Sequence, residues 1–271
     1  MIKLLRQPAG AVLAIAIFIS LTLQTCSAAT PSFPDSARNA ILSLTCIAEN
    51  SQTGFKYNYA ENIGDGRGIT FGIIGFTSGT YDGTALLLQL WELAPKSPLV
   101  KYLPAFQSID RLPHNADGLC DNTAGLENFI ADFEKYGNDA AVKQAQLDKL
   151  NELYWQPALL QAHDLGLCYA ISVGEIYDAC VNHGFDGMKT LVATTTTQAG
   201  GTPKTGVDEK LWLNKFLDVR KAVLASDPTW LQAVDRIEMY RRILQSGNVN
   251  LTTPFPAECY GDKFTVTGVQ P

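Results

Sequence analysis

Basic residues are in short supply. The chain has 21 Lys and Arg against 27 Asp and Glu, a formal net charge of −6. A nucleic-acid binder needs a basic footprint to neutralise phosphates, so the balance argues against that class. An acidic surface attracts a cationic partner instead. Histidine is scarce too. His114, His163 and His183 stand apart, without H-E-x-x-H spacing, and each reads as a surface or capping residue rather than a metal ligand. No C-x-x-C pair occurs, so zinc and redox motifs of that form are missing. There is no G-x-S-x-G, which leaves a serine hydrolase of that type unsupported. Gly64-x-Gly66-x-Gly68 is not the dinucleotide fingerprint, because its third glycine comes too early. Asp121-Asn122-Thr123 opens like a calcium loop, but Leu126-Glu127 breaks the pattern. Repeats and heptad seams are absent. What remains is ordinary globular composition, 46% hydrophobic and 18% charged over 271 residues, which fits one or two domains.

Long apolar runs are confined to the N-terminus. Lys3 and Arg6 precede an apolar run over residues 9–23, mildly interrupted by Gly10 and Ser20. It is too short for a span of about 20 residues. Cys26-Ser27-Ala28-Ala29 then offers small residues at the −3 and −1 positions of a cleavage site. Residues 1–29 therefore read as a secretory signal peptide, with cleavage after Ala28 or Ala29. A lipid anchor on Cys26 is the weaker alternative, because Gln24-Thr25 is a poor context for it. Removing two basic residues changes the net charge to (21 − 2) − 27 = −8. The expected location is extracellular, with no membrane association after signal removal. Five cysteines remain: Cys46, Cys120, Cys168, Cys180 and Cys259. Export makes one or two disulfides an expectation, and the odd count leaves at least one thiol unpaired or bound intermolecularly. Cys168 and Cys180 are placed on one helix, roughly 18 Å apart and too far to bond each other.

Along the rest of the chain, Asp35-Ser36 reads as an N-cap pair. Ala37, Ile41, Leu44 and Ala48 follow at helical spacing, and the helix ends near Glu49-Asn50. Phe55, Tyr57 and Tyr59 alternate with polar residues, as on a half-buried strand. Residues 64–68 form a turn, and 69–76 a β-rich run, making a small sheet of two or three strands. Most of the remainder reads as helix: 84–94, 97–109, 138–154, 157–165 closed by Gly166, and 168–183 closed by Gly184. The Thr/Gly-rich stretch 194–206 reads as a loop. Asp208 caps a helix to Ala225. Asp227-Pro228 starts the last long helix, which Gly247 closes. Leu86-Leu87-Leu88 reads as core. Asn250-Leu251-Thr252 is a glycosylation sequon, usable if the host glycosylates.

One pair of carboxylates stands out for chemistry. Glu49 falls at a helix C-terminus, where the helix dipole favours cations, and a locally unfavourable position points to function. Asp65 falls in a glycine-bracketed turn that lets a bulky ligand approach closely. A helix-borne glutamate and a sheet-borne aspartate suit glycoside hydrolysis, in which one carboxyl protonates the leaving oxygen and the other activates water or attacks. Spacing alone leaves the plainer alternative open, and it is the commoner case: a solvated helix end and an ordinary turn residue.

Sequence blocks sharpen that choice. Ala48-Glu49-Asn50-Ser51, then Ile63-Gly64-Asp65-Gly66-Arg67-Gly68-Ile69-Thr70 and Gly72-Ile73-Ile74-Gly75-Phe76, resemble the signature of glycoside hydrolase family 46, the chitosanases. Ser78-Gly79-Thr80-Tyr81-Asp82, Lys101-Tyr102-Leu103-Pro104, Ile176-Tyr177-Asp178-Ala179, Asn182-His183-Gly184, Phe216-Leu217-Asp218-x-Arg220-Lys221-Ala222 and Gly247-Asn248 continue the resemblance in order. It implies a mainly helical, α+β, lysozyme-like fold. A single catalytic domain over residues 30–271 would carry two helical lobes, a small antiparallel sheet and a cleft between the lobes. It also implies endo-acting cleavage of β-1,4 bonds in chitosan with inversion. Glu49 matches the general acid, Asp65 the general base, Arg67 an arginine supporting that aspartate, and Thr70 a residue holding the attacking water. Asp82 matches a substrate-binding aspartate, and Tyr59 joins it as a substrate-binding candidate. Asp178, Arg220 and Arg236 match a charged network behind the glutamate, although the Arg236 match needs a gap. Three features depart from the family pattern. The segment from Glu49 to Asp65 is slightly short, Phe55 stands where a tryptophan is frequent, and cysteine is more abundant.

The implied partner is a polyamine, which suits a chain of negative charge. Inversion asks for the two carboxyls to stand about 6.5–9.5 Å apart, leaving room for water. No metal or organic cofactor is needed, and a monomer is the default state. Two alternatives share the same residues. One is a hydrolase of a related polymer, chitin or peptidoglycan, and the other is a non-catalytic secreted polysaccharide-binding protein.

Overall fold

The structure, a computed structural model, describes residues 32–271. The expected signal peptide therefore lies outside the described residues. Helix α1 (Asp35–Asn50) forms where the apolar spacing places it. The Asp35-Ser36 cap does not form: Asp35 is already helical, and Pro34 precedes it without a side-chain bond. From Ala40 to Ala48 every residue of α1 is buried. A helix covered all round belongs at the centre of the core. Its last turn closes on Ser51, in the left-handed region (φ 49°), whose N–H bonds to Ile47 O at 3.0 Å.

The small sheet is antiparallel, in the order β1 (Ala60–Glu61), β2 (Thr70–Phe71), β3 (Phe76–Thr77). Ala60 pairs with Phe71, and Phe71 with Phe76. The alternation at 55–59 does not make a strand. Tyr59 N turns back to Lys56 O, and the Tyr57 carbonyl accepts from a side chain, Gln146 Nε2, at 3.0 Å. The same amide's Oε1 accepts from Ile73 N at 3.0 Å, so one buried glutamine pins both flanks of the sheet to a helix behind it. Gly72 makes that approach feasible. Its φ is +74°, and a Cβ there would lie 2.6 Å from Gln146 Oε1.

Helices α2 (Asp82–Leu93), α3 (Leu103–Ile109), α4 (Phe129–Tyr136) and α5 (Ala140–Leu150) follow. A 3₁₀ turn (Pro98–Tyr102) leads into α3, so the expected helix over 97–109 is two pieces. Phe71 stands at the centre of an aromatic cluster, with ring centroids 4.9–6.1 Å from Phe76, Phe106, Phe129 and Phe133. Three of those four contacts are edge-on, the arrangement ring quadrupoles favour. Of the leucine run, Leu86 and Leu87 are core, while Leu88 faces outward.

A π turn (Asn151–Trp155) joins α5 to α6 (Gln156–Leu165), which Gly166 closes as expected. Helix α7 (Ala170–Ala199) runs past the expected stop. Gly184 breaks its geometry (φ 70°, ψ 171°), and the chain then turns helical again through the threonines expected as loop. Thr194, Thr195 and Thr197 each return a hydroxyl bond to the carbonyl four residues back, so they need no other partner. Helix α8 (Glu209–Ala225) starts as expected, with Asp208 Oδ1 accepting from Leu211 N at 2.9 Å. Pro228 opens a 3₁₀ turn rather than the last helix, and α9 spans Val234–Gln245. A hairpin of β4 (Phe255–Cys259) and β5 (Asp262–Val266) ends the fold, a second sheet beyond the one expected.

Cys168 precedes α7 rather than sharing it with Cys180, and it is disulfide-bonded. Cys46, Cys120, Cys180 and Cys259 are buried free thiols. Among the described residues no helix is long and apolar enough to cross a membrane.

Candidate active site

Helical periodicity builds the first half of the site. Thr45 and Glu49 lie one turn apart on α1 and face the same way. Thr45 Oγ1 donates to Asp178 Oδ1 at 3.0 Å. On α7, Glu175, Asp178 and Asn182 share a face by the same spacing. Arg236, on α9, binds Asp178 with two bonds, Nε to Oδ2 at 3.0 Å and Nη2 to Oδ1 at 2.8 Å. Its Nη2 also donates to Glu49 Oε1 at 2.7 Å. Arg220, on α8, donates to Asp178 Oδ2 at 2.7 Å, Glu175 Oε2 at 3.0 Å and Asn182 Oδ1 at 3.2 Å. Asp178, Glu175 and Arg220 have no exposed surface, whereas the Glu49 side chain is 36% exposed. Glu49 is thus where a sealed charge network reaches solvent.

Burial sets the electrostatics of this network. It would raise the Asp178 carboxyl, but Arg236 and Arg220 more than reverse that and hold it below the usual range. Glu175 has one arginine, and burial prevails, pushing it up to about 7 against Arg220. Its Oε1 has no hydrogen-bond partner among the described residues. His183 is pushed down to about 4, first by burial and then by Arg220 and Arg236. It accepts from Arg220 Nε at 3.3 Å, as a neutral imidazole can. The sequence expectation of a surface or capping residue is therefore corrected at His183: the half-buried ring belongs to the arginine's shell.

The second half is local. Gly64, Gly66 and Gly68 all have φ between 71° and 85°, and they fold the chain around Asp65. Asp65 Oδ1 accepts from Arg67 N at 3.1 Å, and Oδ2 from Arg67 Nε at 2.7 Å and Nη2 at 2.5 Å. Gly68 lies so close to Ser78 that a Cβ would meet Ser78 Oγ at 2.2 Å. That hydroxyl accepts from Ile69 N and starts the strand carrying Thr70. Thr70 is buried, and its Oγ1 has no partner among the described residues. A cavity of ≈ 410 Å³ opens beside Gly66, walled by Pro113, His114 and Asp121.

Asp82 begins α2. Four hydrogen bonds converge on its Oδ1, from Thr77 N (3.0 Å), Thr80 Oγ1 (3.0 Å), Thr77 Oγ1 (3.5 Å) and Gly83 N (2.8 Å). Burial raises its carboxyl, partly offset by those bonds. Tyr59 donates to Glu61 Oε2 at 3.0 Å.

Sequence reasoning missed Glu175, Thr45 and Tyr154. A charged residue in the otherwise apolar opening of α7 was the available signal for Glu175. Tyr154 sits in the π turn, a feature frequent at functional sites. Burial pushes its phenol up to about 12, with Asp82 and Glu49 raising it and Arg67 opposing. It therefore stands within electrostatic reach of both halves of the site. Among the described residues no group of three His, Cys, Asp or Glu could hold a metal ion.

The Glycosyl hydrolase family 46 profile matches residues 43–255. A chitosanase from Bacillus subtilis (strain 168) is 36% identical over 222 residues, covering 78% of each chain. A Streptomyces chitosanase is 35% identical over 231 residues, 83% of this chain and 80% of the relative. Solved structures agree. A Bacillus subtilis mutant chitosanase complexed with 6 GlcN superposes with a TM-score of 0.79 at 31% identity, covering 87% of this chain and 100% of that one. A Gynuella sunshinyii chitosanase in complex with chitotetraose gives 0.78 at 31% identity, covering 86% and 98%. The mainly helical, lysozyme-like architecture with a small antiparallel sheet is therefore the family's, and this chain belongs to glycosyl hydrolase family 46.

Proposed function

We propose that this protein is a secreted, endo-acting hydrolase of the β-1,4 bonds of chitosan, with inversion at the cleaved carbon. Glu49 is the general acid and Asp65 the general base. One observation carries the assignment: Glu49, with a side chain 36% exposed, is bound by the buried Arg236 and so brings the network of Asp178, Arg220 and Arg236 out to solvent. Arg236 engages only Oε1. A protonated Glu49 can accept that bond at Oε1 and carry its proton on Oε2, aimed at the leaving oxygen. The Arg236 charge is largely answered by its two bonds to Asp178, so it positions Glu49 without depending on it.

On the opposite face, Arg67 fixes Asp65 through three bonds and leaves one lone pair on Oδ1 for a water. Thr70 Oγ1, buried and unpartnered, suits a second anchor for that water. The water oxygen attacks C1 as the C1–O bond breaks. Glu49 gives its proton to the departing oxygen, and Asp65 takes one from the water. Asp82 is the acceptor for a glucosamine ammonium, and Tyr59 is a further substrate contact.

The network and the sheet loop stand on two lobes of one catalytic domain, which works as a monomer. Residues 1–29 direct it out of the cell. The relatives' names support chitosan as the polymer. The test is reducing-end release from highly deacetylated chitosan, with the anomer of fresh product read by NMR. The expected outcome is an initial α-product and at least a hundredfold loss in Glu49→Gln. Release unchanged in Glu49→Gln removes the acid. Release from chitin or peptidoglycan but not chitosan moves the substrate.

A further inference from the structure

The C-terminal hairpin lies almost wholly beyond the family match, which ends at residue 255, yet its turn touches the catalytic helix. Cys259 pairs with Asp262, so Tyr260 and Gly261 form a two-residue turn. Both have positive φ, 54° and 84°. Turns of this kind take Asn or Asp before Gly, because a left-handed backbone strains a bulky residue. A tyrosine held there is a local cost, and such costs collect where the side chain has a task.

The task can be read from its two bonds. Tyr260 Oη donates to Ala48 O at 3.1 Å. That carbonyl lies in the last turn of α1, where no further helical N–H follows to satisfy it. Tyr260 N donates to Asp235 Oδ2 in the first turn of α9. Ala48 precedes Glu49, and Asp235 precedes Arg236. The two bonds of one residue therefore go to the chain neighbours of the two members of the Glu49–Arg236 pair. Arg242 reinforces the α9 side, donating to Glu258 O at 2.5 Å on β4 and lying 3.6 Å from Asp235 Oδ1. Burial pushes the Tyr260 phenol up to about 12, so it keeps the proton it donates across the working range.

We propose that Tyr260 is a positioning residue: it clamps the end of α1 to the start of α9 and fixes the register of Glu49 on Arg236. The catalytic part of this claim rests on Glu49 being the acid. The clamp itself is a statement about two helix ends and is measurable without turnover.

Three measurements on two variants test it. Tyr260→Phe removes one oxygen from a residue that is 40% exposed, so folding is retained. Tyr260→Asn removes the side-chain half of the clamp, keeps the backbone bond to Asp235, and gives the turn a residue it favours. With chitosan, both variants should lose three- to thirtyfold in kcat with KM within twofold of wild type. Melting temperature should stay level in Tyr260→Phe and stay level or rise in Tyr260→Asn. Hydrogen exchange of peptides ending α1 should quicken at least threefold in Tyr260→Phe. A merely structural tyrosine gives the other pattern, kcat falling only in step with melting temperature. That result, or wild-type kcat in Tyr260→Phe, overturns the positioning role. Unchanged exchange overturns the clamp. If wild type releases nothing from chitosan, the substrate reading fails while the exchange result still decides the clamp.

Discussion

Replacing Asp178 with asparagine keeps the side chain's shape and removes one negative charge from a place without solvent. Asp178 has no exposed surface and receives bonds from Thr45, Arg220 and Arg236. Without its charge, two buried guanidiniums share Glu175 and the half-open Glu49. Breaking a buried pair by removing one partner costs about 3–5 kcal/mol, because the other charge stays buried. For a domain of this size each kcal/mol moves the midpoint about 2–4 °C, so Asp178→Asn should melt roughly 6–20 °C lower. The pH dependence has a definite sign. Arg236 and Arg220 depress the folded carboxyl below its ordinary 3.8. Its contribution is therefore complete above that ordinary value and is lost as pH falls through the lower folded value. The gap between wild type and variant should be full at neutral pH and narrow only below about pH 4. Activity should fall at least tenfold, because Arg236 loses the charged partner that aims it at Glu49. Calorimetry at several pH values and initial rates on chitosan read both effects. A midpoint within 2 °C of wild type, with kcat within twofold, would refute the account of the network.

Glu175 should act in the opposite sense with pH. Burial raises its folded value to about 7 from 4.5, so it withdraws stability as pH rises between those values. Wild type should be less stable at pH 8 than at pH 5 by an amount of order 3 kcal/mol from this group, and Glu175→Gln should flatten that slope in denaturant titrations. Phe71→Ala empties the centre of the aromatic cluster and should cost about 3–5 kcal/mol in urea unfolding. A loss under 1 kcal/mol would mean the cluster closes over the gap. Arg67→Ala should leave the urea midpoint almost unchanged, since an exposed pair contributes about 0–1 kcal/mol, while kcat falls more than tenfold.

Legibility followed how local each determinant was. Helix α1 was readable to its last residue, because the apolar positions that bury it recur within its own sequence. The glycine turn was readable for the same reason: three positive-φ glycines in five residues dictate a loop without help from elsewhere. Residues 194–199 were misread because threonine composition suggested a loop, which begins only at Gly200. The helix satisfies those hydroxyls internally, which composition does not reveal. Phe55–Tyr57–Tyr59 has the strand period, but Gln146, far along the chain, takes the Tyr57 carbonyl. The C-terminal hairpin escaped notice because Tyr260-Gly261 is a weak turn signal, chosen for its side chain rather than its backbone.

The two proposed catalytic carboxyls differ in the same way. Asp65 is held by an arginine two positions along, on an exposed loop, with both side chains partly in water. Such a pair is salt-screened and contributes little to stability, so its value lies in aiming the carboxylate. A five-residue window contains that whole device, so a short sequence block could carry the resemblance that pointed to it. Glu49 is held by Arg236, 187 positions away, which is aimed by Asp178 on α7, itself bound by Arg220 on α8, which also holds Glu175. Well-packed apolar residues would do at least as well for stability at these buried positions. The network's cost is therefore explained by what it does at its open end, where it presents one carboxyl in a fixed direction with the second oxygen free. Such a device exists only once four helices have packed. Its members are scattered in sequence, and Glu175 carries no local mark beyond being a charge where the helix is otherwise apolar.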